Sequence, residues 1–168
     1  MEKLLRRTLL CLFVLTAIGG FYGCGYTIHG HAALPFTEIW VGAIENRTHE
    51  PGLQDMLHRA LVEELVKQGI SVRPSAPRKL TGVIRTFELP SLSEKDGITR
   101  EYRVLIDADF TATDEKGSAE YVKHMGSPFI VVVTGSEDMA RLLANKTLAE
   151  ERALKDMAAR LVGALIFK

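Results

Sequence analysis

Cysteine is scarce in this chain of 168 residues, which has two, Cys11 and Cys24. So few thiols argue against the disulfide framework that holds many small secreted domains together. Long hydrophobic runs are also missing. The most apolar segment, residues 9–18, has about half of the roughly 20 residues that a membrane-spanning helix needs. A transmembrane anchor is therefore the less favoured interpretation of that segment.

The chain has no excess charge of either sign, since 21 basic residues balance 21 acidic ones. No polybasic stretch is visible, so we expect no nucleic-acid partner. Nucleophile elbows, Walker loops and zincin motifs are absent as well, which predicts a protein that is not an enzyme. Apolar residues make up 46% of the chain, and this share predicts a folded domain with a core.

The N-terminus has the layout of a secretory signal peptide. Lys3, Arg6 and Arg7 precede the apolar segment, and Gly19, Gly20 and Gly23 follow it. This order predicts export and removal of residues 1–23. Cys11 leaves with the leader, so Cys24 is the lone thiol of the exported chain.

Cys24 lies where bacterial lipoproteins carry the cysteine that becomes the lipidated N-terminus. The stretch Phe21-Tyr22-Gly23-Cys24 resembles a lipobox. We therefore predict a covalent lipid on Cys24, with residues 24–35 as a tether and no other cofactor. Several acyl chains would hold the domain stably at a membrane surface. The alternative is ordinary cleavage that leaves a free cysteine.

Hydrophobic periodicity predicts a single α+β domain over residues 36–168. The predicted strands are residues 36–44, 79–92, 98–113 and 120–134, and the apolar residues 70–72 suggest a crossover after the first helix. The predicted helices are 53–67 and a long one capped by Ser136, with Asn145 as a possible break. Turns are expected at 46–52, 93–97 and 114–117. Even positions of 98–113 are mostly apolar and odd ones mostly polar, which predicts one buried face. The expected architecture is a two-layer sandwich: a mixed, mostly antiparallel sheet of about four strands with two amphipathic helices on one face, in the order β-α-β-β-β-α.

Two weak patterns could carry chemistry. Asp107 and Asp109 lie two residues apart on the polar strand face, and a hydrolase could use such a pair for acid–base work. A solvated sheet face is the favoured interpretation. His29 and His31 could start a metal site, but two ligands on a tether are insufficient, so we expect no metal.

Basic side chains gather at the 93–97 turn and in the last helix. The residues are Lys95, Arg100, Arg103 and Lys146. They are candidate contacts for a phosphorylated amphiphile, because ammonium and guanidinium groups make charge-assisted bonds to phosphate. Surface solubility is the alternative.

Several short stretches occur together in an order typical of one family. They are CGYTIHG (24–30), LP (34–35), IWV (39–41), ENRTHEPGL (45–53), KLTG (79–82) and REYRV (100–104), followed by the amphipathic terminal helix. In this order the chain resembles the LptE-type lipopolysaccharide-assembly lipoproteins. The resemblance covers almost the whole exported chain.

The resemblance implies a non-enzymatic lipoprotein of the outer membrane, on its periplasmic side. It would plug the LptD β-barrel, help that barrel to assemble, and take part in delivering lipopolysaccharide to the cell surface. Within the family, basic residues of the hairpin and of the early last helix have been proposed to contact the lipid, and Lys95 and Lys146 match those positions. Gly25 is similar to the residue after the cysteine in outer-membrane lipoproteins. The alternative is an envelope lipoprotein that acts as scaffold or chaperone for another complex.

Overall fold

A computed structural model describes residues 34–95, 98–126, 131–134 and 138–167. The predicted signal peptide, Cys24, His29 and His31 lie outside these ranges. The strands are β1 Glu38–Asn46, β2 Ser71–Val72, β3 Lys79–Glu88, β4 Ser91–Lys95, β5 Ile98–Thr113, β6 Ala119–Gly126 and β7 Val131–Thr134, and the helices are α1 Leu53–Lys67 and α2 Met139–Ile166. Within the described ranges, neither helix is both long and apolar enough to cross a membrane.

The seven strands form one sheet around β5, in the order β2-β1-β3-β5-β4 with β6 and β7 also paired to β5. Along one side of β5, β3 and then β4 pair with successive segments, and β6 and β7 do the same along the other side. The sheet therefore has more strands than the predicted four, because β2 adds a position beside β1 and the expected strands 79–92 and 120–134 are each two segments. β1 pairs in parallel with β2 and β3, whereas all pairs with β5 are antiparallel, which confirms a mixed, mostly antiparallel sheet.

Helix α1 has the predicted bounds, and its apolar stripe is buried against the sheet. Gly52 precedes it with φ of +81°, a conformation that glycine adopts without steric cost. The side chain of Asn46 accepts hydrogen bonds from the backbone and hydroxyl of Thr48 and donates to the carbonyl of Glu50 at 2.7 Å. These bonds fix the loop between β1 and α1, which we call the 46–52 loop.

The core lies between the helices and one face of the sheet, here the inner face. The predicted alternation of β5 is confirmed, because Val104, Ile106, Ala108 and Phe110 are buried. The ring of Phe110 lies against Gly82 of β3, where a Cβ atom would come within 2.8 Å of it. The absence of a side chain at Gly82 therefore leaves the space in the core that the ring of Phe110 occupies.

Several sequence-based boundaries are wrong. The strand expected at 120–134 is two strands, β6 and β7, and β6 is irregular at His124, whose φ is +53°. Strand β4 includes Ser93 to Lys95, which were expected in a turn.

Helix α2 begins after Asp138, whose side chain accepts a hydrogen bond from the backbone of Ala140, so the N-cap is Asp138 and not Ser136. An aspartate caps a helix as well as a serine does. The helix then runs through Asn145 without a break.

Candidate functional site

Lys146 lies in a cluster of charges where α2 meets the 46–52 loop. Its Nζ donates to Oε2 of Glu50 at 2.5 Å and lies 3.5 Å from Oε1 of Glu150, one turn further along α2. The ammonium group also lies 5.5 Å from the centre of the Phe87 ring, within the range of a cation–π contact. We call Glu50, Lys146 and Glu150 the charge triad.

Burial sets the electrostatics of the charge triad. The side chain of Glu150 is only 4% exposed, and those of Lys146 and Glu50 are about one-fifth exposed. Burial raises the pKa of Glu150 above its usual range, and nearby Lys146 offsets part of that rise. Burial alone would lower the pKa of Lys146, but the hydrogen bond to Glu50 and the charge of Glu150 raise it. Lys146 is therefore held as a cation.

This geometry places Lys146 in a tertiary ion pair rather than on an open surface. A phosphate that bound Lys146 would compete with two carboxylates already in place. The sequence analysis did not predict these partners. One signal was present, because Glu150 lies among the apolar positions of the last helix and four residues after Lys146. At this spacing opposite charges meet on a helix.

The other candidate contacts lie apart from the charge triad along the chain. Lys95 ends β4 and Arg100 lies near the start of β5, so their backbones share one hairpin. Arg103 pairs in register with Val132 of β7. Its Nε is buried and has no hydrogen-bond partner among the described residues. The turn at residues 96 and 97, and lipidation of Cys24, concern residues that the structure does not describe.

The face of the sheet opposite the helices, here the outer face, forms a shallow groove of about 420 Å³. It crosses β1, β3, β5 and β6. Among its lining residues are Ala43, Thr81, Val83, Arg85, Thr111, Tyr121 and Lys123. No signal in the sequence predicted a groove there, since it arises from the curl of the sheet.

Asp107 and Asp109 both lie on the outer face, as their odd positions predicted. Asp109 accepts from the backbone N–H of His124 at 2.9 Å and pairs with Nε of Arg85. These two contacts, the first being the larger, lower the pKa of the Asp109 carboxyl. Oδ2 of Asp107 lies 3.3 Å from Nδ1 of His124. Both carboxylates thus have partners that join three strands.

The described residues include no group of three or more histidine, cysteine, aspartate or glutamate side chains placed to hold a metal ion. What the described surface offers is paired charges and a mixed polar and aromatic sheet face. Such surfaces suit binding to another molecule.

Comparisons with known proteins agree with this picture. A family model described as "LptE: Lipopolysaccharide-assembly" matches residues 36–166. No protein of the curated collection matches the chain.

Among solved structures, a hypothetical protein from Chlamydia trachomatis has 10% identity and a TM-score of 0.51, covering 77% of this chain and 98% of its own. A putative lipoprotein from Caulobacter crescentus has 16% identity and a TM-score of 0.49, covering 73% and 86%. A minor lipoprotein from Acinetobacter baumannii has 12% identity and a TM-score of 0.48, covering 79% and 92%. Identities this low bear on the fold alone, and of these three only the similarity with a TM-score above 0.5 supports the fold.

The family match spans both helices and all seven strands of the described domain. It includes the 46–52 loop and the charge triad, as well as the outer face. The chain belongs to the LptE family of lipopolysaccharide-assembly proteins.

Proposed function

We propose that this protein is a lipid-anchored plug of an LptD-like outer-membrane β-barrel, and that it helps the barrel to assemble and to deliver lipopolysaccharide to the outer leaflet. The match of the family model to residues 36–166 carries the proposal. The fold is compatible with it, since a compact sandwich whose outer sheet face holds several of its charges in ion pairs suits enclosure by another protein.

Cys24 supplies the anchor in this proposal. It is the lone cysteine after the predicted signal peptide, and it is the first residue of the family's first motif. Covalent lipid would hold the domain at the periplasmic face of the outer membrane without any spanning helix. Intact-mass spectrometry of the mature N-terminus tests this point, because an unmodified cysteine would contradict it.

The function is a binding function and not an enzymatic one. Asp107 and Asp109, the carboxylates that a hydrolase could use, are engaged by His124 and Arg85. A general base must lie within hydrogen-bond reach of the substrate proton that it removes, and the oxygens of Asp109 are already occupied by Arg85 and by the backbone N–H of His124. Their arrangement supports a role in holding the sheet together.

Lipopolysaccharide would be held through its phosphates by Lys95, Arg100, Arg103 and Lys146. Of the two whose side chains are described, Arg103 has a buried Nε without a hydrogen-bond partner in the described ranges. Lys146 would have to exchange Glu50 for phosphate. We therefore expect Arg103→Gln to weaken binding of purified lipopolysaccharide more than Lys146→Gln does, after both variants are checked for folding.

Affinity purification from detergent-solubilised outer membranes tests the proposed function. The tagged full-length protein should bring down one β-barrel protein in about equal amount. Recovery of a different outer-membrane complex would instead support the scaffold or chaperone alternative. Recovery of no stoichiometric partner would reject both.

A further inference from the structure

The outer face is a surface that no described element covers. Both helices pack on the inner face, and the groove of about 420 Å³ lies open on the opposite side. A sheet with one solvated face is ordinary. The composition of this face, however, differs from that of a simple solvated one.

Aromatic and basic side chains are concentrated on the outer face. Trp40, the lone tryptophan of the chain, lies beneath the ammonium group of Lys79, 4.4 Å from its ring centre. Tyr121 is 65% exposed at the rim of the groove, and Arg85 lines it. Tryptophan, tyrosine and arginine are the residues enriched where protein partners contribute most binding energy.

The charges of the outer face are largely neutralised in pairs. Arg85 pairs with Asp109, and Glu45 pairs with Arg47 at 2.9 Å. His124 contacts Asp107. A face of this kind presents hydrogen-bonding groups and aromatic rings with little net charge, and so matches a partner surface that is itself polar and mixed in charge.

We propose that the outer face docks against the polar inner wall of the β-barrel, which deepens and rests on the proposed function. Interiors of outer-membrane barrels are polar, so the ion pairs of this face would keep polar surroundings there. Lipid acyl chains are a poorer match, since they would remove the same charged groups from water without new partners.

The size of the face also favours an enclosing partner over a second copy of the chain. Four strands at the usual spacing and six or seven residues of each strand give about 400 to 450 Å². A stable interface needs about 800 Å² from each partner. A barrel wall can meet this face and other faces of the domain together, whereas a second copy docked here would have this face alone.

Photocrosslinking tests the proposal in the full-length, membrane-extracted protein. A benzophenone amino acid replaces Val83 or Tyr121 on the outer face, and in matched controls it replaces Arg59 or Lys155, which line a small groove between the helices. We expect the barrel to be the main product from Val83 and Tyr121, and a much smaller yield of that product from Arg59 and Lys155. Equal yields from all four positions would contradict the assignment to the outer face. Products containing lipid, a second copy of the chain, or the chain's own N-terminal segment would overturn the proposal.

A substitution gives an independent readout. Val83→Arg places a new charge in the centre of the groove, on the side away from the core. We expect at least a tenfold loss of co-purified barrel with an unchanged melting temperature, and little loss for Lys155→Glu. If both the wild-type protein and Val83→Arg co-purify with the barrel, the outer face is not the docking surface, although the proposed function stands. If the wild-type protein brings down no barrel, the proposed function itself is contradicted.

Discussion

Replacing Lys146 with methionine tests whether this residue stabilises the fold or is available to bind a ligand. Methionine keeps much of the length of the side chain beside Phe87 but removes the charge. Glu50 and Glu150 then face each other without a cation. Because the charge triad is partly buried, removal of its one positive charge should destabilise the fold.

The degree of burial sets the size of the effect. Exposed ion pairs contribute about 0.2 to 1 kcal/mol, whereas removing one partner of a fully buried pair costs about 3 to 5 kcal/mol. Lys146 and Glu50 are about one-fifth exposed and Glu150 is almost fully buried. We therefore expect Lys146→Met to lower the free energy of unfolding by about 2 kcal/mol, between these limits.

Urea denaturation of the soluble domain at pH 7 measures this loss. Lys146→Arg is the matched control, since it keeps the charge. Combined with Glu50→Gln, Lys146→Met should cost less than the two single changes added together, because the two side chains are hydrogen-bonded. A variant as stable as the wild type would refute the structural role and leave Lys146 available to a ligand.

Further predictions follow from single contacts. Gly82→Ala should destabilise the fold by about 1 to 3 kcal/mol in thermal melts, since the new methyl group meets Phe110 and Ile44. Gly163→Ala in α2 should instead stabilise the fold by about 0.5 to 1 kcal/mol, since no atom lies within 4 Å of its new Cβ. Equal effects of the two substitutions would contradict this account of the core. Asp109 has a lowered pKa, so it stabilises the fold at pH values above the ordinary carboxyl pKa, and this stabilisation is lost as the pH falls through its lowered pKa. Asp109→Asn should therefore be less stable than the wild type at pH 7, and the difference in stability should shrink towards pH 2. Glu150 has a raised pKa, so its contribution to the stability of the wild type falls as the pH rises above about 4.5. The free energy of unfolding of Glu150→Gln should therefore increase relative to that of the wild type between pH 4 and pH 8, and a relative decrease would contradict the burial argument. Cys24→Ser should release the protein from membranes into the soluble periplasmic fraction, and retention would argue against a lipid anchor.

Much of the fold could be predicted from the sequence, because the periodic spacing of apolar residues determines the type and the bounds of its main elements. The apolar positions of α1 recur every three or four residues, and those of β5 alternate, so the bounds of both elements and the buried face of β5 are confirmed. The 46–52 loop was also expected, since Asn46 and Gly52 favour turn geometry.

The remaining features depend on contacts between residues distant in the chain. Lys146 meets Glu50 across 96 positions, and no local pattern specifies that pairing. The irregularity of β6 at His124 depends in the same way on Asp109 of the neighbouring strand, whose carboxylate accepts the backbone N–H of His124. The outer-face groove likewise follows from the curl of the whole sheet.

Depletion of the protein in its bacterial host tests the central claim most directly. Labelled lipopolysaccharide at the cell surface is measured as the protein declines, together with the amount of correctly folded barrel. The account predicts that both fall and that the wild-type gene restores them. Normal surface lipopolysaccharide in fully depleted cells would contradict it.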